Sequence, residues 1–195
     1  MRKAVHLVST TFLTVLLILT LAALFVAFGA WLSFPIPGTD IPQTGQTVAV
    51  LTVGALLGPR LGAAAIVLYL LLGAIGLPVY SDGSSGWSVL FGSSVGYFGG
   101  FVAAAALLGF IGKRASHSLA MKTGQLLLAM FTGHGIILLC GFFGLATEAG
   151  FVTAWEQGVA PFIYGGVIKS IISVLLILMI EPLRPMLRLE FKQEH

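Results

Sequence analysis

The sequence predicts an all-α polytopic membrane protein with six helical crossings and both termini on the cytoplasmic side. Three observations carry this expectation. Hydrophobic residues make up 57% of the 195 and charged residues only 9%, which leaves too little polar surface for a soluble globular domain. The apolar residues fall in six runs, 7–30, 44–58, 61–77, 95–112, 123–145 and 159–180, continuous rather than alternating, which argues against a transmembrane barrel. The basic residues sort to one side of these runs, as the positive-inside rule requires. A helical crossing takes about 20 apolar residues, so residues 1–195 read as one membrane domain without a soluble part.

The first run, Leu7 to Ala30, has 24 residues. Its rival is a cleaved signal peptide, with Arg2 and Lys3 as a basic start and Ala27-Phe28-Gly29 as a cleavage site, but the run exceeds the usual ~7 to 15 residue core. A Pro/Gly-rich link, 33–46, precedes only ten apolar residues, Val48 to Leu57. Ten are too few to span. The helix therefore begins near Thr44, or the segment is re-entrant, before Gly58-Pro59-Arg60 breaks it. The third run leads into a polar link, Pro78 to Ser94, that holds Asp82, Ser84, Ser85 and Trp87. A basic connection, Lys113 to Lys122, joins the fourth run to the fifth, and an acidic link, Ala146 to Gly158, joins the fifth to the sixth.

If every run crosses once from a cytoplasmic N-terminus, Arg2, Lys3, Arg60, Lys113, Arg114, Lys122, Arg184, Arg188 and Lys192 all lie inside. Of the ten basic residues only Lys169 remains, within the last run. Asp40, Asp82, Glu148 and Glu156 fall on the outer connections.

Lys169 is the strongest local signal. A helix starting near Pro161 places it about 12 Å deep at 1.5 Å per residue, where a charge costs about 3 kcal/mol unless a partner or ligand compensates it. The bland alternative is a lysine that snorkels or pairs with a carbonyl. Gly165, Lys169 and Ser173 share one helix face, open enough at its outer end for a carboxylate or ureido group. His134, between Gly133 and Gly135, reads either as a satisfied donor between helices or as the polar wall of a pocket. Gly92, Gly96, Gly100 and Ala104 repeat every four residues, a packing pattern that otherwise lines a cleft. Ala23 and Ala27 form a similar pair on the first helix, where a partner protein is the alternative. Trp87 and Tyr97 read as interface anchors or as rings that stack on a ligand.

Other classes lack their signals. No Gly-rich loop followed by Lys-Ser/Thr offers a nucleotide site, no His-Glu-x-x-His or Cys pair a metal site, and no elbow a nucleophilic serine. Cys140 alone forms no intramolecular disulfide and reads as small apolar filler. The net charge of +3 is scattered over short loops, so nucleic acid is not an expected partner.

The stretch IPQTGQTVAVLTVGALLGPRLGAAAIVLYLLLGAIGLPVY, residues 41–80, resembles the BioY family of biotin transporters. The matching positions are Pro42, Thr44, Gln46 and Thr47; then Gly54, Gly58, Pro59, Arg60 and Gly62; then Tyr69, Leu70, Gly73, Gly76, Leu77, Pro78, Val79 and Tyr80. Weaker similarity continues through Gly86, Gly92, Gly96, Tyr97, Pro161, Phe162 and Lys169. The resemblance implies the substrate-binding S component of an energy-coupling factor transporter in the bacterial inner membrane, high-affinity biotin binding and no enzymatic activity. It implies a complex with a transmembrane T subunit and two ABC ATPases, docked on the face carrying Ala23 and Ala27, with biotin as cargo and no cofactor. A biotin-binding reading assigns Lys169 to an anion, Thr44, Gln46 and Ser84 or Ser85 to the ureido edge, and Gly165 and Gly166 to the open face. Two departures stand out: Gly92-Ser93-Ser94-Val95-Gly96-Tyr97 replaces Gly-Pro-Thr-Gly-Gly-Tyr, and Gly166 replaces an acidic residue three positions before Lys169. Asp82, His134 or Glu156 then takes the missing polar role. The alternatives are a same-fold transporter for a relative such as dethiobiotin and, from another class, an intramembrane enzyme or structural membrane protein.

Overall fold

The computed structural model describes residues 2–39, 41–112 and 118–183. Asp40, Lys113, Arg114, Arg184, Arg188 and Lys192 lie outside the described residues.

Helix α1 covers Arg2–Trp31, followed by a small antiparallel pair, β1 (Ser33–Phe34) and β2 (Gln43–Thr44), in which Ser33 faces Thr44 and Phe34 faces Gln43. Then come α2 (Gln46–Leu57), α3 (Pro59–Ala74), the short α4 (Trp87–Leu90), α5 (Val95–Gly112), α6 (Leu119–Ala149), α7 (Phe151–Gly158) and α8 (Ile163–Ile180). Four helical stretches, Phe12–Trp31, Val95–Gly112, Leu119–Ala149 and Phe151–Ile180, are long and apolar enough to cross a membrane, while α2 and α3 are shorter.

The short second run turns out to be the axis of the bundle. Nine of the twelve residues of α2 are buried, and it packs against α1, α3, α5, α6 and α8. At 1.5 Å per residue it is about 18 Å long, and a helix enclosed by other helices need not match the bilayer by itself. It starts at Gln46, two residues later than the sequence suggests, because Gln43 and Thr44 are held in β2. Gly58, at φ +83°, makes the tight link into α3, a conformation that L side chains rarely adopt, and Pro59 supplies the fixed φ of the first turn.

Small residues set how closely the helices pack. A Cβ placed on Gly54 falls 2.6 Å from the Ala105 Cα, and one on Gly100 falls 2.9 Å from the Ile137 Cα, so α5 lies backbone to backbone with α2 and α6. The four-residue repeat therefore serves packing at Gly96 and Gly100. Gly92 lies outside α5, which starts only at Val95. The acidic link is also helical: α6 runs on to Ala149, and α7 occupies most of the remainder.

The two ends of the bundle differ in charge. Lys122, in the first turn of α6, pairs with Glu181 just after α8, and this end also holds exposed Arg60 and the contact of Gly112 with Ala55. At the far end, the Trp31 Nε1 donates to the Pro78 carbonyl at 3.0 Å and the Tyr97 hydroxyl to the Gly158 carbonyl at 2.6 Å. Asp82, Glu148 and Glu156 are exposed there.

Candidate functional site

At the far end, α2, α5, α6 and α8 surround a small cavity of about 60 Å³. Thr44 closes β2 beside it, and Gln46 and Thr47 contribute the first turn of α2. Ser94 comes from just before α5, Tyr97, Phe98 and Phe101 from its start, His134 and Ile137 from the middle of α6, and Lys169 from α8. Ile41, Pro42 and Ser81 reach it from the links. Phe98 is packed against Tyr80, stacked at 5.2 Å between ring centroids, and against Phe101 at 5.9 Å, which makes this wall aromatic.

Lys169 sits six residues into α8, and its Nζ donates to Gln43 Oε1 at 3.1 Å. The Ser173 hydroxyl donates back to the Lys169 carbonyl at 2.8 Å. A Cβ on Gly165 runs into the Gln43 amide, so the bare position lets that side chain reach Lys169. Gln46 Nε2 donates to the Tyr69 hydroxyl at 2.8 Å, which fixes its carboxamide at the mouth of α2. Tyr97 offers its ring, its hydroxyl being bound to Gly158. His134 is only 7% exposed, with its Nδ1 buried and without a hydrogen-bond partner.

The structure thus brings together Lys169, Thr44, Gln46, Tyr97 and His134 from the expected set. Gly166 lies beneath the His134 ring. Asp82, Ser84 and Ser85 do not line the cavity. Asp82 is exposed in a turn, at φ 56°, and the Ser84 hydroxyl is turned onto the Ser81 carbonyl at 2.7 Å. Their link is tied to α3 instead, through Gly86 N–H to Gly73 O at 2.8 Å and the Tyr80 hydroxyl to Leu70 O at 2.6 Å. Glu156 is exposed on α7 and does not join the cavity.

Beyond the Gln43–Lys169 pair lies an apolar groove of about 530 Å³ between α1, α2 and α8, lined by Phe25, Phe28, Leu32, Val48, Gly165 and Ile168. It is larger but offers few polar atoms, and its rim of exposed Phe28, Leu32 and Ile168 suits a face turned toward lipid. The smaller cavity has the converging polar groups that orient a small molecule.

Residues 1–186 match the sequence model of the BioY family. The chain belongs to the BioY family. Among its relatives, the biotin transporter BioY2 of Lactococcus lactis subsp. cremoris (strain MG1363) is 38% identical over 157 residues, covering 79% of this chain and 84% of the relative. The biotin transporter BioY of Rhizobium etli is 34% identical over 161 residues, covering 80% and 86%. In three dimensions the chain is similar to the S-component for biotin from an ECF-type ABC transporter, solved by crystallography at 2.1 Å, with a TM-score of 0.75 and 25% identity over 89% of this chain and 93% of that one. With four stretches able to span a bilayer, this BioY protein is a multi-pass membrane protein.

Two features of this BioY chain depart from the sequence reading. Ala23 and Ala27 are 1% and 5% exposed and belong to the chain's own core, because their small side chains let α1 settle on α2 and α3. Within this chain they serve packing, the other reading that the small-residue pair allows. Gln43 escapes the sequence reading: it is not among the matching positions of the Pro42 to Thr47 stretch, and nothing in the one-dimensional pattern signals that it meets Lys169 across 126 residues.

Proposed function

We propose that this chain binds biotin at the far-end cavity and serves as the substrate-binding component of an energy-coupling factor importer in the bacterial inner membrane. It does so as a transport component, not an enzyme, with a T subunit and two ABC ATPases supplying the energy. The observation that carries the reading is the Lys169 ammonium inside a family-matched helical bundle, held by the neutral amide of Gln43 at an otherwise aromatic and hydroxyl-lined cavity. Biotin matches that chemistry, with a carboxylate for the ammonium, an apolar bicyclic ring for Phe98 and Phe101, and a ureido group for the hydroxyls and amides of Thr44, Thr47 and Gln46.

The cavity of about 60 Å³ is smaller than the ~300 to 1,000 Å³ of ligand pockets, so binding requires the wall to move. Ile41 and Pro42, in the link between the two-residue strands, reach the cavity from outside the helices and act as the lid. With the N-terminus cytoplasmic, this end faces outward and receives ligand from outside.

The test is uptake of labelled biotin by a biotin-auxotrophic bacterium lacking its own transporter. Expression together with a T subunit and ATPases should restore uptake, and Lys169→Ala should abolish it at limiting biotin. No uptake by membranes shown to contain the assembled complex contradicts the reading.

A further inference from the structure

Lys169 is not the only polar group at its end of the cavity. The His134 imidazole, on α6, lies against Gly166 of α8, one turn before Lys169; a Cβ at Gly166 falls 2.5 Å from the ring's Nε2. A side chain there and the imidazole cannot share the space. The ring and the Lys169 side chain line the same cavity. His134 is 7% exposed, and its Nδ1 is buried with no hydrogen-bond partner. An unmatched buried donor or acceptor costs about 1 to 3 kcal/mol, so native proteins rarely keep one without use. Among the described residues no carboxylate lines the cavity, and the one hydrogen bond given for the Lys169 Nζ goes to an uncharged amide oxygen.

We infer that His134 is a specificity-determining residue that donates a second hydrogen bond to the ligand's carboxylate, completing with Lys169 a two-point anion clamp for which Gly166 makes the room. Gln43 holds the ammonium in place and yields it to the carboxylate, the stronger acceptor. Neutral imidazole carries one N–H and one lone pair, so the ring donates without adding a second buried charge beside Lys169. The clamp deepens the biotin reading and rests on it: it assigns the acid end of the ligand to α6 and α8 and leaves the ureido end to Thr44, Thr47 and Gln46.

Biotin and its methyl ester differ only at the acid end, so comparing them isolates the clamp. Purified protein in nanodiscs is titrated with both, as wild type, His134→Ala, His134→Asn and Gly166→Ala. Wild type should prefer biotin. His134→Ala should weaken biotin by roughly ten- to hundredfold, the range for one hydrogen bond to a charged group, and weaken the ester, which offers only a neutral carbonyl, much less; native elution and melting show that the variant is folded. His134→Asn, which keeps an amide donor, should regain much of the preference. Gly166→Ala, which pushes the ring aside, should act like His134→Ala. Equal losses for biotin and ester in His134→Ala protein of native elution and melting, or no loss for either, overturn the clamp while the biotin reading stands. Failure of wild type to bind biotin at all overturns both.

Discussion

Lys169 shows how one residue carries both a structural problem and its use. Its depth in an apolar helix is visible in the sequence, and so is the cost. The partner is not: Gln43 reaches it only because Gly165 has no side chain and β2 turns Gln43 toward α8. Lys169→Ala should weaken biotin binding by about 1.5 to 3 kcal/mol, the value of a charge-assisted hydrogen bond in a dry site. Lys169→Arg should also bind poorly, since a planar fork does not fill the space of a compact ammonium. Titration calorimetry on both variants checks this, and native affinity in Lys169→Ala would reduce Lys169 to a structural role. His134 illustrates the limit of reading residues singly. The sequence leaves it between helix packing and pocket wall, and only its fit against Gly166 and its unmatched Nδ1 distinguish them.

At the scale of elements, continuous apolar runs make α1, α5, α6 and α8 legible, because a helix facing lipid announces itself by length and composition. α2 is hard to judge for the opposite reason. It is shielded by its neighbours over most of its surface, so its ten apolar residues need not span, and hydropathy cannot distinguish a short central helix from a re-entrant loop. Small residues are similarly ambiguous: the Ala23–Ala27 pair and the Gly96–Gly100 pair look alike in sequence, and in the structure both serve internal packing. The two outer links also behave differently from each other. The one at 78–86 is tied by hydrogen bonds to α1 and α3, whereas Ile41 and Pro42 of the other line the cavity. Spin labels at Thr39 and Ser85 should give a broad distance distribution without ligand and a narrow one with biotin. An unchanged distribution in protein shown to bind would place the opening elsewhere.

At the scale of the whole molecule, the sequence's charge pattern and the structure's two ends tell one story. Arg60 and the Lys122–Glu181 pair gather at one end, while Asp82, Glu148 and Glu156 are at the other, as the positive-inside rule asks of a bundle with its basic end in the cytoplasm. Reporter fusions after Gly112 and after Glu148 should therefore report opposite sides, and the same side for both would overturn this orientation. The far end holds the cavity, so the function proposed above has ligand captured from outside and the basic end facing the proposed energising subunits.

The central claim is that this cavity takes biotin, and native mass spectrometry tests it most directly. Protein purified from cells grown with biotin, released gently from detergent, should carry one biotin per chain, and Lys169→Ala protein prepared alongside should carry none. Wild-type protein that emerges bare after incubation with biotin, or that carries a different small molecule in its place, would contradict the account.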